Sequence, residues 1–506
     1  MTEVGITRLR EEDVVAGKLR RRLSAAAGWP LGVAAICFTL SLTQPPFTLD
    51  GYLDLVCGRL IAANGVPDVD TLSVAAQGRT WVDQQWLSQL LMYETWRIAG
   101  PVGLTFLLAI LLAATYALLT RLCERLGAPA QHAARWALLA FLGSAGYAAV
   151  RAEMVSYPAF ALTLALLAED ARHERFRFSF LWILVLLALW ANLHGAVLLG
   201  VLIVALYCAV RAARAAYRRV RRSATLYAAC SIASVATLFA TPYGLSEAGY
   251  YHRLLTSSIL PEYENEWTSP RLGDPFAWMT YVFAIVSVIV ISLAVRRKAR
   301  PNIALLLATA VTGALAFHAM RYQPWFALSA GGLAAVTLGR LRPAPPPLNR
   351  RFLRLGAAGL ALVALVSAVS AAGASTNSRE TGLARGTLSE AAHWTSAHPN
   401  MRILTDLTTS DRLLWWYPET VGRVAFDARL DFYEPASMRQ WFSYIFGPGV
   451  PTSLAGQRYD VYVASKSNLP LYRKLHADRC LTTIFADRYG IVAVRKPTNR
   501  NCDASG

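Results

Sequence analysis

The chain has 506 residues, 55% hydrophobic and 16% charged, with mean hydropathy +0.35. Soluble domains average about 25% charged residues, so this composition excludes an ordinary soluble protein and places most of the chain in lipid. The net charge of +18 does not mark a nucleic-acid binder. Its basic residues sit in short clusters between apolar stretches, as in cytoplasmic loops facing anionic membrane lipids.

Arg8, Arg10, Lys18, Arg20, Arg21 and Arg22 precede the first apolar run, which ends in Thr43-Gln44-Pro45-Pro46. A cleaved signal would show small residues there, so 1–27 reads as a cytoplasmic basic N-terminus and the run as an uncleaved anchor. Apolar stretches at 28–44, 101–120, 136–150, 154–168, 179–194, 195–210, 224–241, 276–295, 302–320, 324–339 and 355–373 predict about 11 membrane spans within 28–373. Basic clusters at 121–125, 172–177, 211–222, 296–300 and 340–354 fall on alternate connections. The two long connections between them are acid-richer, with Asp50, Asp54, Asp68, Asp70, Asp83 and Glu94 in one and Glu247, Glu262, Glu264, Glu266 and Asp274 in the other. This asymmetry puts the N-terminus inside, and an odd number of spans puts the C-terminal region outside.

The first outer loop, 45–100, is too long for a mere connector. Segments 50–64 and 83–98 have helical apolar spacing, and Trp81, Trp86 and Trp96 suit an interface. Two amphipathic helices lying on the membrane surface are expected. After Gly373 a linker, Ala374-Ser375-Thr376-Asn377-Ser378, opens a different composition. Strands at 402–405, 424–426, 461–464 and 489–494 alternate with helices near 387–397, 435–442 and 470–477, which predicts a small extracytoplasmic α/β domain over 374–506. Neither a Gly-rich phosphate loop nor a nucleophile elbow occurs in it. Cys37, Cys57, Cys123, Cys208 and Cys230 have apolar surroundings and read as packing residues. An extracytoplasmic tail would permit Cys480 and Cys502 to pair, which spacing alone leaves open.

Polar residues at membrane depth are costly and tend to be functional, and here they gather at the outer ends of the spans. Asp50 and Asp54 share a helix face at i, i+4 and offer a general base or metal ligand; the plain alternative for Asp50 is a helix cap. Arg151 beside Glu153, and Arg321 beside His318, suit a phosphate group, or are ion pairs and snorkelling side chains. Asn192 and His194, before Gly195, break an apolar run and line a cavity, or hydrogen-bond between helices. Glu266 lies in an outer loop whose plain reading is surface structure.

Taken together these segments resemble bacterial multi-spanning glycosyltransferase-like proteins of the GT-C superfamily, and more distantly the polyprenyl-phosphate-sugar-dependent mannosyl- and aminoarabinose transferases. The likeness rests on Asp50, Tyr52, Leu55, Gly58, Arg59 and Ile61, then Gly78, Arg79, Trp81, Val82, Trp86 and Leu87. It continues in Trp190–Gly195, Pro242-Tyr243-Gly244 and Glu266-Trp267-Thr268-Ser269-Pro270. It implies a polytopic all-α GT-C-like bundle in the bacterial plasma (inner) membrane, with Asp50 as the catalytic carboxylate. Asp54, Arg151, Glu153, Asn192, His194, His318, Arg321 and Glu266 are then expected to bind substrate. The donor implied is a polyprenyl-phosphate sugar, and the acceptor an extracytoplasmic glycan, lipid or protein. No cofactor is certain, and a divalent cation is left open. The chain departs from the pattern at Asp54, where relatives often have His, and at Gln84-Gln85, where they often have His-Glu. A lipid-linked-glycan flippase or assembly component using the same cations for binding is the alternative, although no internal repeat of the transporter kind occurs.

Overall fold

The computed structural model describes residues 28–43, 49–341, 383–447, 453–454 and 457–496. The basic N-terminus, Pro45-Pro46, the predicted span 355–373 and Cys502 lie outside these residues; Cys480 is disulfide-bonded.

The apolar stretches form helices α1 (Gly28–Ser41), α3 (Trp86–Arg125), α4 (Ala130–Ser144), α5 (Ser156–Asp170), α6 (Trp182–Ala191), α7 (Val197–Tyr217), α8 (Arg221–Ala236), α11 (Trp278–Arg296), α12 (Ile303–His318) and α13 (Gln323–Leu341). Each predicted span up to 339 coincides with one of them. Trp86–Arg125, Ala152–Asp170, Val197–Tyr217 and Pro275–Arg296 are long and apolar enough to cross a membrane alone. A fifth candidate is the broken pair Arg221–Phe239 and Gly244–Thr256, bent by 92°. Gly28–Ser41, Phe178–Ala191 and Ile303–His318 are apolar but shorter, and the expected count of about 11 goes beyond the four or five candidates that length and composition give among the described residues. α13 is the hub of the bundle, packing on α4, α11 and α12 and burying nearly its whole length.

The loop 45–100 contains α2 (Leu49–Asn64) and the first half of α3. α3 runs without a gap into a span, kinked at Gly100, whose φ of 59° favours glycine, before Pro101 opens the second half. α2 differs from the expected surface helix. Tyr52, Leu55, Val56 and Cys57 are buried, because α2 lies between α3 and a helix of the C-terminal domain. Gly58 permits the approach to α3: a Cβ there would stand 2.2 Å from the Gln89 carbonyl oxygen.

Two short helices, α9 (Glu247–Thr256) and α10 (Ile259–Tyr263), follow α8. The C-terminal domain adds α14 (Ser389–Ala397), β1 (Ile403–Leu404), α15 (Leu407–Trp416), α16 (Pro435–Phe446), the hairpin β2 (Ser453–Leu454) and β3 (Gln457–Arg458), β4 (Val461–Ser465), α17 (Leu469–Ala477), β5 (Leu481–Ala486) and β6 (Gly490–Arg495). Its mixed sheet has the order β1-β4-β6-β5, with β1 parallel to β4 and the other neighbours antiparallel. The α/β reading holds, with differences. α15, β5 and the hairpin β2–β3 were not expected, and 424–426 is not a strand of that sheet: Val424 makes isolated bridges to Ile403 and to Ser73.

That second bridge welds the first loop to the domain. Val74 N–H donates to the Val424 carbonyl (2.8 Å) and Gly422 N–H to that of Leu72 (2.9 Å). Arg59 reaches from α2 to the last turn of α15, donating to the carbonyls of Leu414 (2.5 Å) and Trp415 (2.8 Å). It thereby satisfies acceptors that a helix C-terminus leaves open. Across the domain, Arg439 pairs with Glu262 (2.8 Å) and the Phe442 ring stacks on Tyr263 at 3.6 Å.

Candidate functional site

Where spans break at this end of the bundle, backbone groups lose their helical partners and need others. Between α6 and α7 the freed carbonyls of Ala191, Asn192 and Leu193 accept from Gln84 Nε2 (3.1 Å), Leu87 N–H (3.2 Å) and Ser88 Oγ (2.6 Å). Between α4 and α5 the Ala152 N–H donates to Asp54 Oδ2 (2.8 Å). After α12 the Met320 N–H donates to the Thr268 carbonyl (3.0 Å). The two long loops thus stitch the breaks together, and each break delivers one basic side chain: Arg151, His194 and Arg321.

These groups line one cavity of about 320 Å³, within the range of small-ligand sites. Asp50, Asp54 and Asp83 come from the first loop, Glu153 from the α4–α5 break, and Tyr250, Arg253, Glu264, Glu266 and Trp267 from the later one. Arg429, Asp431 and Phe432 of the C-terminal domain also line it. Of the nine residues expected at a site, Asn192 and His318 are not in its lining. Asn192 is used in packing: its amide donates to the carbonyls of Ala188 (2.9 Å) and Ala240 (2.8 Å) and accepts from Trp86 Nε1 (3.1 Å). His318 ends α12 and its carbonyl accepts from Ser269 Oγ (3.1 Å).

The charges form a chain. Arg151 contacts Glu153 (2.5 Å), Glu266 (3.2 Å) and Asp50 (3.7 Å). Glu266 reaches on to Arg321 (3.7 Å), whose guanidinium stacks 4.0 Å over Trp267. Burial works against the charge on Glu266, but the two guanidinium groups prevail and hold its pKa below the usual carboxylate value. Asp50 is 49% accessible by side chain, yet enclosure in the cavity raises its pKa against the pull of Arg151. Asp54 is 2% exposed. Its Oδ1 accepts from Gln85 (3.0 Å) and Gln89 (3.3 Å) and its Oδ2 from Ala152, so both oxygens are engaged. Burial and the neighbouring Asp50 charge push its pKa up to about 8 despite those donors. Asp83, also buried, is pushed to about 7, and its Oδ2 has no hydrogen-bond partner.

Arg429 was not anticipated. Asp70 (2.5 Å) and Asp427 (2.5 Å) clamp it, and it stacks 4.4 Å over Trp81 and 4.9 Å over Phe432. The only sequence sign was three charges, Asp427, Arg429 and Asp431, inside an aromatic and apolar run. As for a divalent cation, among the described residues no group of three or more His, Cys, Asp or Glu is arranged to hold a metal ion. Glu266 is engaged by two guanidinium groups and Asp54 by three donors, so the donor set does not fit one.

No protein-family model matches the chain and no curated protein matches it. Among solved structures it is similar to ArnT from Cupriavidus metallidurans bound to undecaprenyl phosphate, with a TM-score of 0.51 and 14% identity over 94% of this chain and all of that one. A weaker overlap, TM-score 0.49 and 12% identity over 89% of this chain and 71% of that one, is with the oligosaccharyltransferase AglB from Archaeoglobus fulgidus in complex with an inhibitory peptide and a dolichol-phosphate. The likeness to ArnT is one of fold.

Proposed function

We propose that the protein is an integral-membrane glycosyltransferase. It would move a sugar from a polyprenyl-phosphate donor to an extracytoplasmic glycan, lipid or protein acceptor at the plasma membrane. The observation that carries this reading is the meeting of Asp50 with Arg151 and Arg321 in one cavity at the ends of the apolar helices.

In this mechanism the donor phosphate is the leaving group, and its growing negative charge is met by cations already in place. Arg321, stacked on Trp267 and 3.7 Å from Glu266, has hydrogen-bond donors to offer it. Arg151 remains with its three carboxylates and fixes the position of Asp50. Asp50, the most accessible of these acids, takes the proton from the acceptor hydroxyl as that oxygen attacks the anomeric carbon. The C-terminal domain contributes Arg429, Asp431 and Phe432 to the wall of the cavity.

The test is turnover of polyprenyl-phosphate sugars by the purified protein, with Asp50→Asn as the control. Release of polyprenyl phosphate dependent on an acceptor supports the reading. Facilitated movement of the lipid-linked sugar across vesicles without transfer would support the flippase instead. A reporter active only outside the membrane, fused after Gly506, is expected to be active; activity of a cytoplasm-only reporter there would reverse the orientation.

A further inference from the structure

The four guanidinium groups of the cavity are not equally free. Arg151 faces three carboxylates, two of them within 3.2 Å. Arg429 is clamped by Asp70 and Asp427. A phosphate arriving at either must compete with carboxylates already in place, so most of the attraction is spent. Arg321 stacks over Trp267 and has one carboxylate near it, Glu266 at 3.7 Å, longer than a hydrogen bond. Arg253 lines the cavity with no ion pair or side-chain hydrogen bond among the described residues.

Arg253 stands on α9, which belongs to the segment turned 92° from the helix before it. If α8 runs along the membrane normal, α9 lies flat at the surface, at headgroup depth. Tyr250, Arg253 and Leu254 present one face of α9 to the cavity, at i, i+3 and i+4. Leu255, the next residue, is 62% exposed on the outside of the same helix. The helix therefore offers a cation and a hydroxyl inward, beside an apolar surface outward. Arg253, Arg321 and Asp431 line the same cavity, and Asp431 lies in the field of Arg253, Arg429 and Arg321.

We infer that Arg253 and Arg321, rather than Arg151, form the clamp for the phosphate group of a membrane lipid, whose hydrocarbon tail leaves the cavity over α9 past Leu255. Arg151 is then a positioning residue for Asp50 and Glu266. This rests on the transferase reading for its consequence, but its test is binding, which needs no transfer.

The probe is polyprenyl phosphate without sugar, titrated against the purified full chain in detergent micelles. Arg253→Gln is expected to weaken binding about 10- to 100-fold, the usual loss for a hydrogen bond to a charged group. Arg253→Lys should recover part of it. Arg151→Gln, provided its thermal transition remains cooperative, is expected to bind within a few-fold of wild type. Wild-type affinity in Arg253→Gln, or a larger loss in a folded Arg151→Gln than in Arg253→Gln, overturns the assignment. Inorganic phosphate is the second probe: competition at concentrations comparable to the lipid would show that the tail contributes nothing, and would overturn the lipid source. If wild type binds the lipid and Arg253→Gln does not, yet no sugar is transferred, the clamp stands and the transferase reading fails. If transfer proceeds and Arg253→Gln binds normally, the reverse holds.

Discussion

Asp50 and Asp54 stand one helical turn apart and are expected to fail in opposite ways when changed to asparagine. Asp50 has one long contact, 3.7 Å to Arg151, and an accessible carboxylate. Asp50→Asn removes little that holds the fold, so the thermal midpoint should stay near wild type. Loss of a general base costs about 100- to 10,000-fold in rate, and turnover should fall by that much. Asp54 accepts three hydrogen bonds while 2% exposed. In Asp54→Asn one oxygen becomes an N–H donor and must face either the Ala152 N–H or the two glutamine amides. The glutamines can turn their own oxygens to it, so the change costs one or two hydrogen bonds, about 1–3 kcal/mol. A lower midpoint with turnover within about tenfold of wild type is expected. The assay is thermal unfolding of both variants in detergent beside release of polyprenyl phosphate. Near-normal turnover in Asp50→Asn, or an Asp54→Asn that is fully stable and inactive, refutes the division of labour.

Stability should fall as pH rises. The pKa of Asp54 moves from 3.8 to about 8, of Asp83 from 3.8 to about 7 and of Glu264 from 4.5 to about 7. The folded chain therefore binds more protons than the unfolded one across that window, and the midpoint measured near pH 5 should exceed that near pH 8.5; a flat profile contradicts it. Gly58→Ala should cost about 1–3 kcal/mol, because the new methyl meets the Gln89 carbonyl and pushes α2 from α3; a wild-type midpoint would show the contact to be looser. Asp70→Asn leaves Arg429 with Asp427 alone, so the cost should lie at or below about 3 kcal/mol, the low end for a broken buried pair. Limited proteolysis should then release the C-terminal domain faster than in wild type, and unchanged cleavage argues against the clamp.

The helices of the bundle were legible because apolar runs have a local period and length. So were the breaks between them, where Arg151, His194 and Arg321 interrupt that pattern. What lay hidden depends on residues more than three hundred positions apart. Nothing near Arg59 in sequence shows that it ends on the α15 carbonyls. Nothing near Asp70 shows that its partner is Arg429. The Gly58-Arg59 and Gly78-Arg79-x-Trp81 patterns were read as marks of resemblance, and the fold gives them physical jobs: close helix approach, a helix cap, a turn at φ 76°, and a stacking surface for Arg429. The buried face of α2 was misread as a membrane face because an amphipathic helix looks the same whichever apolar surface covers it.

The two departures from the pattern that the sequence resembles look different once their positions are known. Asp54 replaces a frequent His, and Gln85 a frequent Glu, and taken singly each change removes or reverses a charge. In the fold the two side chains are bonded to each other, Gln85 Nε2 donating to Asp54 Oδ1 at 3.0 Å. A His at 54 and a Glu at 85 would put the acid just before α3; here the acid sits on α2 and the neutral donor at the residue that precedes α3. One acid is kept and one hydrogen bond is kept. The carboxylate that moved is the one already committed to Ala152, not Asp50. The exchange therefore alters how α2, α3 and the Arg151 turn are pinned together, and leaves the accessible carboxylate of the cavity in place. A double change restoring His at 54 and Glu at 85 should then be better tolerated than either alone, with a coupling of about 0.5–3 kcal/mol in a double-mutant cycle of thermal stability. Additive costs would mean that the two positions do not act as a pair.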